Sequence, residues 1–275
     1  MQILDSTRND FYIHVDKKAN NFDENEIKTC VSKSKVHFIE RQNVYWADYS
    51  QVRTELNLLD AAYYSGEKYT FFHLLSGSDM PVKTEKEIYN FFETNRDKNF
   101  IGIVPNESYY SVRRVKYYHL LLHNSIYRKC KVLKAMDRFL EYIQKLIRIN
   151  RIKNRCWKFY DGWTWFSITS EFAKYVLNKK DTIRKIFQYS IASDELVMQT
   201  LGYNDIHFRK TFFDTENLKR GSMRYIDWNR GRPYTWGRAD YEELINCPMM
   251  FARKFDEEYN MEIIEKLYHQ LKKEY

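Results

Sequence analysis

The sequence predicts a mixed α/β fold, and three features carry that reading. Strand-like and helix-like segments alternate through the first half of the chain. An almost unbroken apolar run, Tyr69 to Leu75 (YTFFHLL), has the composition of a buried central strand. Thr84 and Glu87 then stand at capping-box spacing at the start of a helix. The 275 residues fit one domain, 1–275, with a mixed central sheet flanked by helices.

The elements follow in order. Phe11 to Val15 reads as a strand ending at Asp16-Lys17-Lys18, and Val36 to Ile39 as a second. Ser50 to Tyr64 is an amphipathic helix. The central run breaks at Ser76-Gly77-Ser78-Asp79-Met80-Pro81, a turn at the carboxyl end of a strand. Phe100 to Val104 is the next strand, and Trp163 to Thr169 another, with a helix from Ser170. Ser193 reads as an N-cap, placing Asp194 and Glu195 in the first turn of a helix through Leu201. Arg224 to Trp228 is a short strand, and helices at Ala239–Asn246 and Glu257–Lys273 follow. No internal repeat and no linker interrupts the chain.

The net charge of +8 is local. Between Tyr110 and Lys158, 14 basic residues face only Asp137 and Glu141, so this stretch carries +12 and the remainder −4. Leu133, Met136, Leu140, Ile143, Leu146 and Ile147 recur within it at threes and fours. Such a helix suits an anionic surface: membrane headgroups, a lipid-linked acceptor or nucleic acid. It equally suits a helix that buries its apolar stripe in the core, its Lys and Arg stems lying on apolar surface.

Several chemistries lack their signatures. No apolar run is long enough to cross a membrane, and MQILDSTRND is not a signal peptide. Cys30, Cys130, Cys156 and Cys247 are scattered, which points to a reduced, cytoplasmic protein. HExxH, DxD, GxGxxG, the P-loop and GxSxG are all missing. What remains are carboxylates at strand and helix ends: Asp16, Asp79 and Glu195. An acid at a helix start stays ionised and available as a base, although it is also an ordinary start signal. Arg230, Arg232, Arg238, Arg253 and Lys254 form a second basic group, mixed with Trp228, Tyr234 and Trp236. That mixture suits an anionic ligand carrying a stacking ring, and equally a solvated loop.

FYIHVDKK (11–18), YWADYSQVRTELNLL (45–59), YTFFHLLSGSDMPVKTEKEI (69–88), SDELVMQTL (193–201) and FARKFD (251–256) occur in this order. Together they resemble the core-2/I-branching β-1,6-N-acetylglucosaminyltransferase family (glycosyltransferase family 14), which also contains the peptide xylosyltransferases. The low cysteine count looks like its bacterial branch. The resemblance implies a GT-A-like fold and an inverting, metal-independent transfer from a UDP-sugar, for instance of GlcNAc, to a glycan hydroxyl. No divalent metal or other cofactor is expected. By position, Glu195 matches the catalytic base and Lys254 the lysine that neutralises the leaving diphosphate. The arginine partner of that lysine falls on Arg232, with Arg230 as the alternative. Trp228 sits where an aromatic packs on the acceptor sugar and Arg114 near the acceptor, while Asp16 and Trp46 border the uridine or ribose. Asp79 contacts the donor sugar, caps its turn, or does both.

The likeness also implies a further strand and helix before FYIHVD. Met1 to Asp10 supplies at most the tail of that helix, so the expectation is either a truncated start or a sheet short of one strand with weakened donor binding. The expected partners are a UDP-sugar and a glycan or lipid-linked glycan, in polysaccharide assembly at the inner face of the cytoplasmic membrane, with peripheral contact to anionic lipid. Two other readings are a glycan-binding remnant without catalysis and a basic nucleic-acid-binding protein.

Overall fold

A strand covered on both faces must be apolar throughout, and Phe100–Ile103 is: every one of its residues is buried. The computed structural model describes residues 1–155 and 157–272; Cys156 and the expected helix end at Lys273 lie outside the described residues. The chain opens with a 3-10 turn, Gln2–Leu4. Strand β1 (Phe11–Ile13) follows, then α1 (Glu24–Thr29), β2 (Val36–Phe38), α2 (Ser50–Tyr63), β3 (Phe71–His73), β4 (Asp79–Pro81), α3 (Glu85–Thr94) and β5 (Phe100–Ile103). The basic segment contributes α4 (Tyr109–Lys116) and α5 (Lys131–Leu146). Next come β6 (Gly162–Thr169), α6 (Ser170–Asn178), α7 (Lys180–Phe187), α8 (Val197–Asn204), α9 (Ile206–Arg209) and α10 (Leu218–Ser222). Strand β7 (Arg224–Ile226), α11 (Tyr241–Asn246), β8 (Phe251–Arg253) and α12 (Glu257–Lys272) complete the order. No helix among the described residues is long and apolar enough to cross a membrane.

The mixed α/β arrangement expected of a GT-A-like fold is present, with the strands of the described residues divided among three short sheets. β1 and β2 pair in parallel, β3-β6-β5 is antiparallel, and β8 lies between antiparallel β4 and parallel β7. The run at 69–75 is therefore an edge. Among the described residues β3 pairs with β6 alone and β1 with β2 alone, and the eight-residue β6 takes the central place. Pro81 is tolerated because β4 is also an edge strand. At the crossing of β5 and β6, a Cβ on Gly162 would meet the Gly102 carbonyl oxygen at 1.9 Å, so only glycine fits.

Arg224, fully buried, ties two of these sheets together. From β7 its guanidinium donates to the Phe166 carbonyl at 2.8 Å, the Ser167 hydroxyl at 3.1 Å and the Leu74 carbonyl at 3.3 Å. Burial lowers its pKa to about 9, against the raising field of Asp79. The core falls into two large clusters. One joins Val52, Leu56, Leu59 and Ala62 of α2 to Phe166, Phe172, Val176 and Leu201. The other joins Phe100, Trp236, Leu244, Phe251 and Leu267. Thr84 and Glu87 form the expected capping box on α3, and Ser108 with Ser111 forms another on α4.

One local expectation is corrected, and one open reading is narrowed. Residues Ser193–Glu195 form a 3-10 turn ahead of α8, and the Ser193 hydroxyl is buried without a hydrogen-bond partner, so it caps nothing. Of the two readings open for the α5 stripe, the core one fits only in part, since Leu133, Leu140 and Ile143 are only partly buried. Met136, Leu146 and Ile147 are exposed, while Asp137, Glu141 and Gln144 are buried.

Candidate active site

In open α/β sheets, ligands bind beyond the carboxyl ends of the strands. Most of the expected residues meet that condition: Asp16 follows β1, Asp79 follows β3, Trp228 follows β7 and Lys254 follows β8. β6 runs against β3 with His73 opposite Ser167, so Gly162 to Trp165 overhang the same end.

The Ser76–Asp79 turn is held from two sides. Asp79 accepts from the Ser76 backbone N–H at 2.6 Å and from Arg253 at 2.8 Å, with its side chain almost fully buried. Its charge is thus shared between the turn and Arg253. Arg253 also donates to the Ser76 hydroxyl and lies over the Trp165 ring at 4.1 Å. Phe255 N–H reaches the Ser78 carbonyl at 2.9 Å, so the turn and the segment carrying Lys254 move together.

The loop after β7 folds back on β8. Tyr234 N–H donates to the Asp227 carbonyl at 2.9 Å, and Lys254 N–H to the Tyr234 carbonyl at 3.3 Å. This brings the Trp228–Pro233 loop beside Lys254. The Lys254 side chain is one-third exposed, and its ammonium stands 3.5 Å from Asp256. The two candidate arginines differ sharply. Arg230 is bound by Asp227, by Asp240 at 2.8 Å and by Glu243 at 2.8 Å, and it stacks on Tyr234. Three carboxylates leave it little charge for a ligand, and they raise its already high pKa. Arg232 is exposed and has no ion pair among the described residues. Trp228 is half-exposed, as a stacking platform requires. Trp236 is fully buried and stacked on Tyr225 at 5.2 Å, so its place in the aromatic group is a core one.

Glu195 lies across the strand ends, paired with Arg114 at 2.6 Å. Arg114 also donates to the carbonyls of Ile191 at 3.2 Å and Ala192 at 2.6 Å, so it clamps the Glu195 turn instead of projecting freely. Ala192 has a left-handed backbone (φ 49°), and its N–H donates at 2.7 Å to the carbonyl of Ala47, also left-handed (φ 62°). Strained alanines of this kind persist only where the surroundings over-determine them. Here they lock the exposed Trp46 loop against the Glu195 turn. On the far side of that loop, the Lys18 ammonium reaches Asp16 at 2.8 Å and the Val44 carbonyl at 2.5 Å, and lies over Tyr45. Burial works to raise the Asp16 carboxyl, but the Lys18 bonds outweigh it and hold it below its usual value.

Behind Glu195 lie two acids that the motif reading passed over. Asp194 is buried and accepts from the Thr164 hydroxyl at 2.8 Å. Burial, and secondarily the Glu195 charge, push its pKa up to about 6. Glu55 on α2 is buried, and desolvation, with the Asp194 charge, raises it well above the usual carboxylate range. The adjacent Ser-Asp-Glu was visible in the sequence, but which acid turned inward was not. Between an unfolded value near 3.8 and a folded value of about 6, the native state binds the extra Asp194 proton. Its contribution is therefore present at acid pH and lost as pH rises through 6. Relative to Asp194→Asn, the wild type should lose about 1 kcal/mol of stability from pH 5 to pH 7.5. Denaturant melts at the two pH values measure this, and a pH-independent difference contradicts it. His14, whose pKa burial lowers, is common to both proteins and cancels.

A cleft of about 480 Å³ between α2 and α7, lined by Tyr49, Arg53, Lys180 and Arg184, contains none of the expected residues. Among the described residues no group of three or more His, Cys, Asp or Glu is arranged to hold a metal ion.

A family model described as "Core-2/I-Branching enzyme" matches residues 1–258. Xylosyltransferase 2 of Rattus norvegicus is 25% identical over 276 residues, covering 94% of this chain and 30% of that protein. The same enzyme of Homo sapiens is 25% identical over 277 residues, with the same coverage. N-acetyllactosaminide beta-1,6-N-acetylglucosaminyl-transferase of Homo sapiens is 24% identical over 277 residues, covering 90% of this chain and 62% of that protein. The chain thus spans about a third of the xylosyltransferases it matches.

Proposed function

Because the chain belongs to the core-2/I-branching enzyme family, matched over residues 1–258, we propose that it is an inverting glycosyltransferase that moves a sugar from a UDP-sugar to a hydroxyl of a glycan acceptor. One observation carries the reading beyond the family. Glu195, held by Arg114 on a locked turn, shares the strand ends with a one-third-exposed lysine, Lys254, and with Arg232, which has no ion pair among the described residues.

In this mechanism Glu195 takes the acceptor hydroxyl proton as the oxygen attacks the anomeric carbon in line. The new glycosidic bond forms as the bond to the diphosphate oxygen breaks, and UDP leaves with the bonding pair. Lys254 and Arg232 stand where negative charge grows on the β-phosphate, and fixed cations stabilise such charge strongly. They supply the neutralisation that a divalent ion would otherwise give, so transfer proceeds without metal. Trp228 offers its ring to the acceptor sugar and Trp46 borders the nucleoside, both being half-exposed. Arg114 acts on the acceptor side through Glu195, whose carboxylate it orients.

The named relatives divide between xylosyl and N-acetylglucosaminyl transfer, so both donors belong in the test. The purified chain, given UDP-xylose, UDP-GlcNAc and other UDP-sugars with a panel of glycan acceptors and EDTA throughout, should release UDP with one donor in an acceptor-dependent manner. Absence of turnover with every donor, or turnover restored only by a divalent ion, contradicts the proposal.

A further inference from the structure

Helix α5 is built inside out. Val132, Met136, Phe139, Tyr142, Leu146 and Ile147 are between 47% and 66% exposed, and Ile126, just before the helix, is 58% exposed. At 100° per residue, Val132, Met136, Phe139, Leu146 and Ile147 form one continuous outward stripe. The inward face carries Asp137, Glu141 and Gln144, and each of these side chains has a specific partner, although Asp137 Oδ1 is left without one. Glu141 takes a two-pronged bond from Arg113 at 2.6 and 2.7 Å, and a third contact from Lys145 at 3.1 Å. Asp137 pairs with His119 at 2.8 Å, and Gln144 bonds the Tyr118 backbone N–H and carbonyl at 2.8 and 2.9 Å. Rolling the helix to hide its apolar stripe would strip these buried groups of their partners, a change that costs more than it returns. The outward apolar face is therefore specified by the sequence.

The charge around that face is one-signed. Both acids of α5 point inward, while Lys131, Arg138, Lys145 and Arg148 are exposed, as are Arg128 and Lys129 just ahead of the helix. Lys131, Arg138 and Arg148 have no ion pair among the described residues. An apolar stripe edged on one side by cations is the pattern of a helix that lies in the plane of an anionic bilayer. An apolar face that awaited a neutral protein groove would need no such cationic edge. We propose that α5 docks the protein peripherally on an anionic lipid surface, its stripe entering the headgroup boundary and its Lys and Arg contacting lipid phosphates. The attachment is rigid with respect to the candidate site. Arg113 of α4 grips α5 while its neighbour Arg114 grips Glu195, and the Lys134 ammonium of α5 lies over Trp46 at 5.8 Å.

The test is flotation of the intact chain with vesicles of phosphatidylcholine alone and vesicles also containing phosphatidylglycerol. Binding should be at least about tenfold stronger to the anionic vesicles and should weaken with salt. Phe139→Asp with Leu146→Asp should lose it, and so should Arg138→Glu with Arg148→Glu, each with an unchanged thermal transition because all four side chains are exposed. Equal or absent binding to the two vesicle types overturns the proposal, as does binding that folded variants retain. A solution dimer that Phe139→Asp dissociates, with no flotation of the wild type, also overturns it and assigns the face to a second copy of the chain.

Discussion

Replacing Glu195 with Gln should remove transfer while leaving the fold intact. The carboxylate is the proposed acceptor of the hydroxyl proton, and positioned general bases contribute roughly 10²- to 10⁴-fold to rate. The amide keeps the shape and can still accept from Arg114, but it cannot take the proton. Because the Glu195 side chain is 43% exposed, its exchange should change stability by no more than about 0.5 kcal/mol. Donor binding should persist, since the base contacts the acceptor side. The expected pattern is thus a loss in kcat with an unchanged melting temperature and an unchanged response to UDP. A variant that retains more than about a tenth of wild-type turnover would remove Glu195 from the base role.

The second large effect separates the two arginines. Lys254→Ala and Arg232→Ala should each lower kcat by about a hundredfold or more, because each removes a cation from the developing diphosphate charge. The double variant should cost less than the product of the two, since both act on one group. Arg230→Ala should behave differently. It strands Asp227 and Asp240, both buried, without their shared cation, so its main cost falls on stability, on the order of 3 kcal/mol. Urea melts beside steady-state kinetics distinguish the patterns. If Arg230→Ala proved stable and inactive while Arg232→Ala remained active, the assignment would reverse.

Much of the fold could be read in the sequence because its signals are local. The Thr84–Glu87 capping box, the apolar strands at 100–104 and 163–169 and the amphipathic α2 each declare themselves within a dozen residues. β4 and β8 do not, being three residues long, and one contains a proline that reads as a turn. The edge position of β3 was equally hidden: an apolar run reports burial, not how many strands flank it. The candidate site shows the same division. Motif positions nominated Glu195, Lys254 and Asp79, but only tertiary structure shows that Arg114 clamps Glu195 and that Arg253 pairs with Asp79. Periodicity found the stripe of α5 but left open whether it faces the core or an anionic surface. The distant partners Arg113 and His119, which pair with Glu141 and Asp137 on the polar face, are what the local pattern could not show. Trp236 and Trp228 stand eight residues apart in one aromatic cluster, and nothing local distinguishes the buried ring from the half-exposed one.

The central claim is that the strand-end site holds a uridine diphosphate through protein cations alone. Thermal unfolding with UDP in excess EDTA tests it most directly, comparing the wild type with Lys254→Ala. Saturating UDP at about a hundred times its Kd should stabilise the wild type by about 2.7 kcal/mol, and the variant far less. An unmoved transition in the wild type, or an equal shift in both proteins, would contradict the claim.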